Sequence, residues 1–128
     1  MIAIDVQSRK PIYEQIVERF ETLIVSGVLA PDSQLPSVRT LAMELSINPN
    51  TIQKAYTMLE QEGFIYPIRG RGNFVSGDAT LKKKKQEGLY RSLQELVGQG
   101  RALKIPCETF VSRVREYYEC PIYKEEVQ

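Results

Sequence analysis

Apolar residues recur at three- and four-residue spacing at Tyr13, Ile16, Val17, Phe20, Leu23 and Ile24, the stripe of a helix with one buried face. Pro11 suits a first helical turn and Gly27 a stop, and Glu14, Glu18 and Glu21 are placed on the outer side of the helix. Residues 28–34 read as a loop. A second stripe follows at Val38, Leu41, Ala42 and Leu45, opened by Pro36 and Ser37, and a third at Ile52, Ala55, Tyr56 and Leu59, closed by Gly63. Only Ser46, Ile47 and Asn48 join the second helix to the third. So short a link forces a steep crossing, as in a helix-turn-helix, with Ile47 plugging the core at the turn.

Past Gly63 the period changes. Phe64–Ile68 and Asn73–Val75 are short β-prone runs around Arg69-Gly70-Arg71-Gly72, and two glycines in four residues suit a hairpin turn with positive φ. Pro67 cannot donate to a ladder, which marks its strand as an edge. From Lys82–Lys85 the chain enters another apolar stripe at Leu89, Leu93, Leu96 and Val97, predicted to end near Gly98 or Gly100. A loop over 101–107 precedes a last helix carrying Phe110, Val111, Val114, Tyr117 and Tyr118, with Pro121 at its end. The expected fold is mainly α with one small β-hairpin. Its two regions are 1–77, a winged helix-turn-helix, and 78–128, a short helical extension.

Composition narrows the function classes. The 128 residues are 42% hydrophobic and 26% charged, ordinary for a globular protein. No apolar run approaches membrane-spanning length and the N-terminus lacks a signal-peptide core, so the expected location is cytoplasmic, with no membrane partner. Cys107 and Cys120, in a chain without histidine, fall short of the four ligands of a structural zinc site and read as free thiols; no metal and no cofactor is expected. The absence of histidine, of a nucleotide-binding glycine loop and of a nucleophile–base pair argues against an enzyme. Net charge is only +1. Residues 1–78 hold seven Lys/Arg against nine Asp/Glu, and residues 79–128 ten against seven. A nucleic-acid interface must therefore rest on where the charges sit.

Three features supply such positions. Asn48 is a good N-cap and Pro49 suits the first helical position, so capping alone explains both. Opposite the apolar stripe of that helix lie Asn50, Lys54, Thr57 and Gln61, flanked by Thr51 and Gln53. Amides and hydroxyls can contact base edges and lysine can neutralise phosphate, while the helix N-terminus points free N–H groups outward. Arg39, on the outer side of the second helix, could pair with Glu44 or reach a guanine or a phosphate. Arg69 and Arg71 at the hairpin tip could keep an edge soluble or enter a minor groove, with Gly70 allowing close backbone approach. The lysines 82–85 read as a solvated helix start within reach of phosphate.

Pro11-Ile12-Tyr13-Glu14-Gln15-Ile16, Leu35-Pro36-Ser37-Val38-Arg39, Asn48-Pro49-Asn50-Thr51, Leu59-Glu60-Gln61-Glu62-Gly63 and Arg69-Gly70-Arg71-Gly72-Asn73-Phe74-Val75 together resemble the winged helix-turn-helix of GntR-family bacterial transcription regulators. The likeness covers about residues 10–76, and the short tail is similar to the YtrA subfamily, whose C-terminal helices mainly dimerise. The resemblance implies a sequence-specific DNA-binding regulator, a repressor that binds an inverted-repeat operator in double-stranded DNA as a homodimer. It places DNA contacts at Arg39, at Asn48, Asn50 and Thr51 with Gln53 and Lys54 following, and at Gly70; the residues themselves add Ser37, Arg69 and Arg71 to the expected DNA-binding set. The dimer seam is expected at Leu89, Leu93, Leu96, Val97, Phe110, Val114 and Tyr117, and room is left for a small-molecule effector of unidentified class. Two positions depart from the family pattern: Asp32 where glycine is common after proline, and Asn73 where threonine is usual. The alternative reading is a winged-helix protein–protein adaptor that does not touch DNA.

Overall fold

The structure is a computed structural model and describes residues 2–121; residues 122–128 of the expected C-terminal region lie outside it. The elements run α1 (Ile12–Val25), α2 (Val38–Leu45), α3 (Pro49–Gln61), β1 (Ile65–Ile68), β2 (Gly72–Val75), α4 (Leu81–Ala102) and α5 (Cys107–Tyr118). The chain divides into two compact units, one ending at Lys85 and the other beginning at Gln86.

In the first unit the three apolar stripes meet. Ile16, Phe20, Ile52, Ala55, Tyr56 and Leu59 are essentially inaccessible to water, and Leu35, Leu41, Phe64, Ile65, Val75 and Leu81 are among the others buried in the core. The Phe20 and Tyr56 rings meet edge to face, 5.8 Å apart, the geometry the ring quadrupole favours. Ile47 is half-buried against this core, as the plug at the turn. Gln15 of α1 takes both backbone polar groups of Asp5: the Asp5 amide donates to Gln15 Oε1 at 2.9 Å, and Gln15 Nε2 donates to the Asp5 carbonyl at 2.9 Å. A third bond, from Nε2 to the Lys10 carbonyl, leaves the side-chain amide standing in for a strand partner of the N-terminal segment.

The two strands pair antiparallel, Ile65 with Val75 through Ile68 with Gly72. The stretch read as a plain loop adds a short third edge. Gln34 bridges Phe74, the Leu35 amide donates to the Asn73 carbonyl, and the Val75 amide donates to the Ser33 carbonyl. Asp32 explains its own departure from the family pattern. Its φ is +65°, left-handed backbone where glycine is free of strain and Asp is among the more tolerant alternatives. Its carboxylate accepts a 2.6 Å hydrogen bond from the Tyr66 hydroxyl of β1.

Two expectations are corrected here. Glu21 does not face solvent; it is 7% exposed, and its Oε1 lies 2.7 Å from Lys85 Nζ in the first turns of α4. A carboxylate can sit on a buried face when a partner from elsewhere in the chain neutralises it. The other concerns α4, which does not stop at Gly98 or Gly100 but continues to Ala102. Gly100 is buried, and a methyl group there would collide with the Phe110 ring. Glycine keeps the helix despite its poor propensity because α5 packs a ring against it. The connection is correspondingly short, residues 103–106, with Lys104 at φ +60°.

The Glu21 site is expected to make the fold pH-sensitive. A hydrogen bond to Glu21, partial burial and the Glu21 charge raise the Glu62 carboxyl to about 7, against the opposing pull of Lys85. The folded state therefore holds a proton that the unfolded chain releases near pH 4.5. That contribution is full below the unfolded value and is lost as pH rises through the folded one. The urea midpoint of the protein is expected to fall as pH is raised from 5 to 8. In Glu62→Gln this downward trend should flatten; an unchanged trend would remove Glu62 as its source.

Candidate nucleic-acid interface

The head of α3 is built by Asn48 and Pro49. Asn48 Oδ1 accepts from the Asn50 amide at 2.8 Å, while Pro49 has no amide to satisfy. The turn before it depends on Ser46, whose φ of +55° ends α2 in left-handed backbone. With that tight corner, Asn48, Asn50, Gln53, Lys54, Thr57 and Gln61 are exposed, and Thr51 is half-buried at the edge of the same face. Gln53 Nε2 donates to Thr57 Oγ1 at 3.3 Å, which orients one amide along the helix surface.

Ser37 caps α2, its Oγ accepting from the Thr40 amide at 3.1 Å. The hydroxyl also donates to Thr40 Oγ1 at 2.9 Å. Arg39, two residues on, is exposed and forms no ion pair among the described residues, so the anticipated Glu44 partner is not engaged. The start of α2 is tied to α3 through Tyr56, whose hydroxyl donates to the Pro36 carbonyl at 2.7 Å. Burial, with the Glu44 charge adding, holds the Tyr56 phenol above its ordinary value, which favours the protonated, donating form.

At the wing, Arg69, Gly70 and Arg71 are exposed. The Arg71 amide closes the turn on the Ile68 carbonyl at 2.9 Å, with Gly70 at φ +79° and Gly72 at +107°. Gln34 braces this tip from the third edge, its Nε2 donating to the Arg71 carbonyl. Sequence reasoning missed Gln34, because the only local sign was a polar residue in a loop. It also missed Tyr13, whose ring lies under Lys54 with Nζ 3.9 Å from the centroid.

Among the dimerisation candidates, Leu89, Leu93, Leu96, Val97, Val114 and Tyr117 are all substantially exposed, from 40% to 69%. Phe110 is half-buried against Gly100. An open apolar groove of about 850 Å³ runs between α4 and α5, lined by Leu93, Val97, Ile105, Phe110, Val111 and Val114 among others. No described helix is long and apolar enough to cross a membrane.

Three helices with a tight turn before the third, closed by a two-stranded wing, make the first unit a winged helix-turn-helix of the DNA-binding kind. The family model for bacterial regulatory proteins of the gntR family matches residues 12–75. The chain is 44% identical over 99 residues to the HTH-type transcriptional repressor YtrA of Bacillus subtilis (strain 168), covering 76% of each chain. A GntR family transcriptional regulator from Listeria monocytogenes superposes with a TM-score of 0.73 at 35% identity, over 86% of this chain and 97% of that one. The crystal structure of AraR(DBD) in complex with operator ORX1 matches at TM-score 0.53 and 28% identity, over 59% of this chain and 96% of that one. The chain belongs to the GntR family and is a DNA-binding transcription regulator. Its relatives are regulators rather than enzymes, and the adaptor reading finds no support among them.

Proposed function

We propose that the protein is a repressor that binds an inverted-repeat operator as a homodimer. Residues 1–77 act as the DNA-reading part and 78–128 as the dimerisation part. The observation that carries this is the head of α3. Asn48, Asn50 and Gln53 stand exposed there with Thr51 half-buried at their edge, and Arg39 on α2 is exposed and forms no ion pair among the described residues, giving amides for adenine and a guanidinium for guanine or phosphate. Arg69, Gly70 and Arg71 are exposed at the wing tip, and their charge suits a narrow minor groove. One such module reads few base pairs, and two-fold pairing doubles the contacts and imposes an inverted repeat. The exposed stripe from Leu89 to Val97, with Val114, Tyr117 and the apolar groove beside them, supports a seam on α4 and α5, since contiguous apolar surface of this kind marks interfaces.

Selection of random duplexes by the purified protein, followed by titration at several salt concentrations, tests the DNA half of the reading. An enriched inverted repeat with affinity falling steeply in salt is expected; enrichment of a single unrepeated site would refute two-fold reading. Light scattering tests the seam. Leu93→Glu and Leu96→Glu are expected to convert a dimer to monomers, and dimers that persist in both would move the interface elsewhere.

A further inference from the structure

We propose that Tyr13 is a positioning residue for DNA binding: its ring holds the Lys54 ammonium where α3 presents it to a backbone phosphate. This rests on the DNA-reading assignment of α3 and adds a residue from α1 to it. Lys54 shares its helix face with Asn50, Thr57 and Gln61 and is exposed, but its head does not hang free. Nζ sits 3.9 Å from the centroid of the Tyr13 ring, within the range at which a cation is attracted to an aromatic face.

The platform itself is fixed. Tyr13 is half-buried against the hydrophobic core, and its hydroxyl donates to Glu14 Oε1 at 3.3 Å. Lys54 has no carboxylate ion-pair partner among the described residues. A ring engages only one side of an ammonium, and its N–H donors on the other sides stay available to a phosphate. A free lysine loses several rotamers when it meets DNA, and one already resting on a ring loses fewer. An aromatic residue early in α1 thus serves the DNA face without itself touching DNA.

The test is a double-mutant cycle on the best duplex recovered by the selection described above, titrated across salt. Lys54→Met is expected to lower the slope of log affinity against log salt by about 0.9 per half-site. Tyr13→Leu should weaken binding about two- to five-fold per half-site in the parent, Tyr13→Phe should restore most of it, and Tyr13→Leu should add nothing in the Lys54→Met background. Thermal unfolding of each variant accompanies the titrations. Equal losses from Tyr13→Leu in both backgrounds would make Tyr13 a packing residue only. An unchanged slope in Lys54→Met would overturn the phosphate contact while leaving the regulator reading intact. A parent protein that binds no duplex would overturn both.

Discussion

Arg39→Ala is expected to weaken operator binding by roughly 30- to 10⁴-fold while leaving the fold intact. A charge-assisted contact from arginine to guanine or phosphate is worth about 1–3 kcal/mol, and a dimer loses it in both half-sites. Within the fold Arg39 is exposed and forms no ion pair among the described residues. Its removal should therefore shift stability by no more than about 0.5 kcal/mol. Arg39→Lys separates two ways in which the residue could act. Lysine keeps the charge but lacks the planar fork, so it should preserve the salt dependence while relaxing base preference, if the contact is to a base edge. A phosphate contact would instead lose little affinity with lysine and relax no position. Wild-type affinity in Arg39→Ala, measured by fluorescence anisotropy on the selected duplex, would take Arg39 out of the interface.

How far the molecule could be read from its residues depends on the kind of interaction. The stripes of α1, α2 and α3 were legible because helical periodicity states directly which face is apolar, and the buried apolar residues of these helices fall on those stripes. The start of α3 was legible because Asn48 and Pro49 act within one turn. What escaped is polar and distant. Glu21 sits at a position that the pattern assigns to solvent, and its partner Lys85 is 64 residues away. Gln34 braces the wing across 37 residues, and a lone glutamine in a loop carries no sign of it. Gly98 and Gly100 read as a helix end because local propensity speaks against glycine, whereas at Gly100 the Phe110 ring of α5 supplies the reason to keep it. The ten positions proposed for DNA contact were nameable because each falls in a recognisable motif of the chain. Which neighbour holds each side chain in place is decided by contacts far apart in the chain, which no local pattern carries, as Tyr13 beneath Lys54 illustrates.

Tyr56→Ala should be the most damaging single truncation in the DNA-binding unit, costing about 3–5 kcal/mol by analogy with other large aromatic deletions. Against a total of about 5–15 kcal/mol for a typical domain, that is a loss visible at once in a urea unfolding curve. The size follows from what the side chain joins. Its ring is 2% exposed and meets Phe20 of α1 edge to face, while its hydroxyl reaches the Pro36 carbonyl just before the α2 cap. Tyr56→Phe keeps the ring and removes only the hydroxyl, leaving that carbonyl without its donor at a cost of about 1–3 kcal/mol. The consequence for function runs further than this number. Pro36 leads into Ser37, which caps α2, and Arg39 stands on the first turn of that helix. Tyr56→Phe is thus expected to lower operator affinity under conditions where the protein is still fully folded, because the helix that carries Arg39 is less firmly placed. In an Arg39→Ala background the same change should cost little further affinity. If Tyr56→Phe weakens binding equally with and without Arg39, the hydroxyl stabilises the fold without positioning the arginine, and the coupling between the core and the DNA face must run through α3 alone.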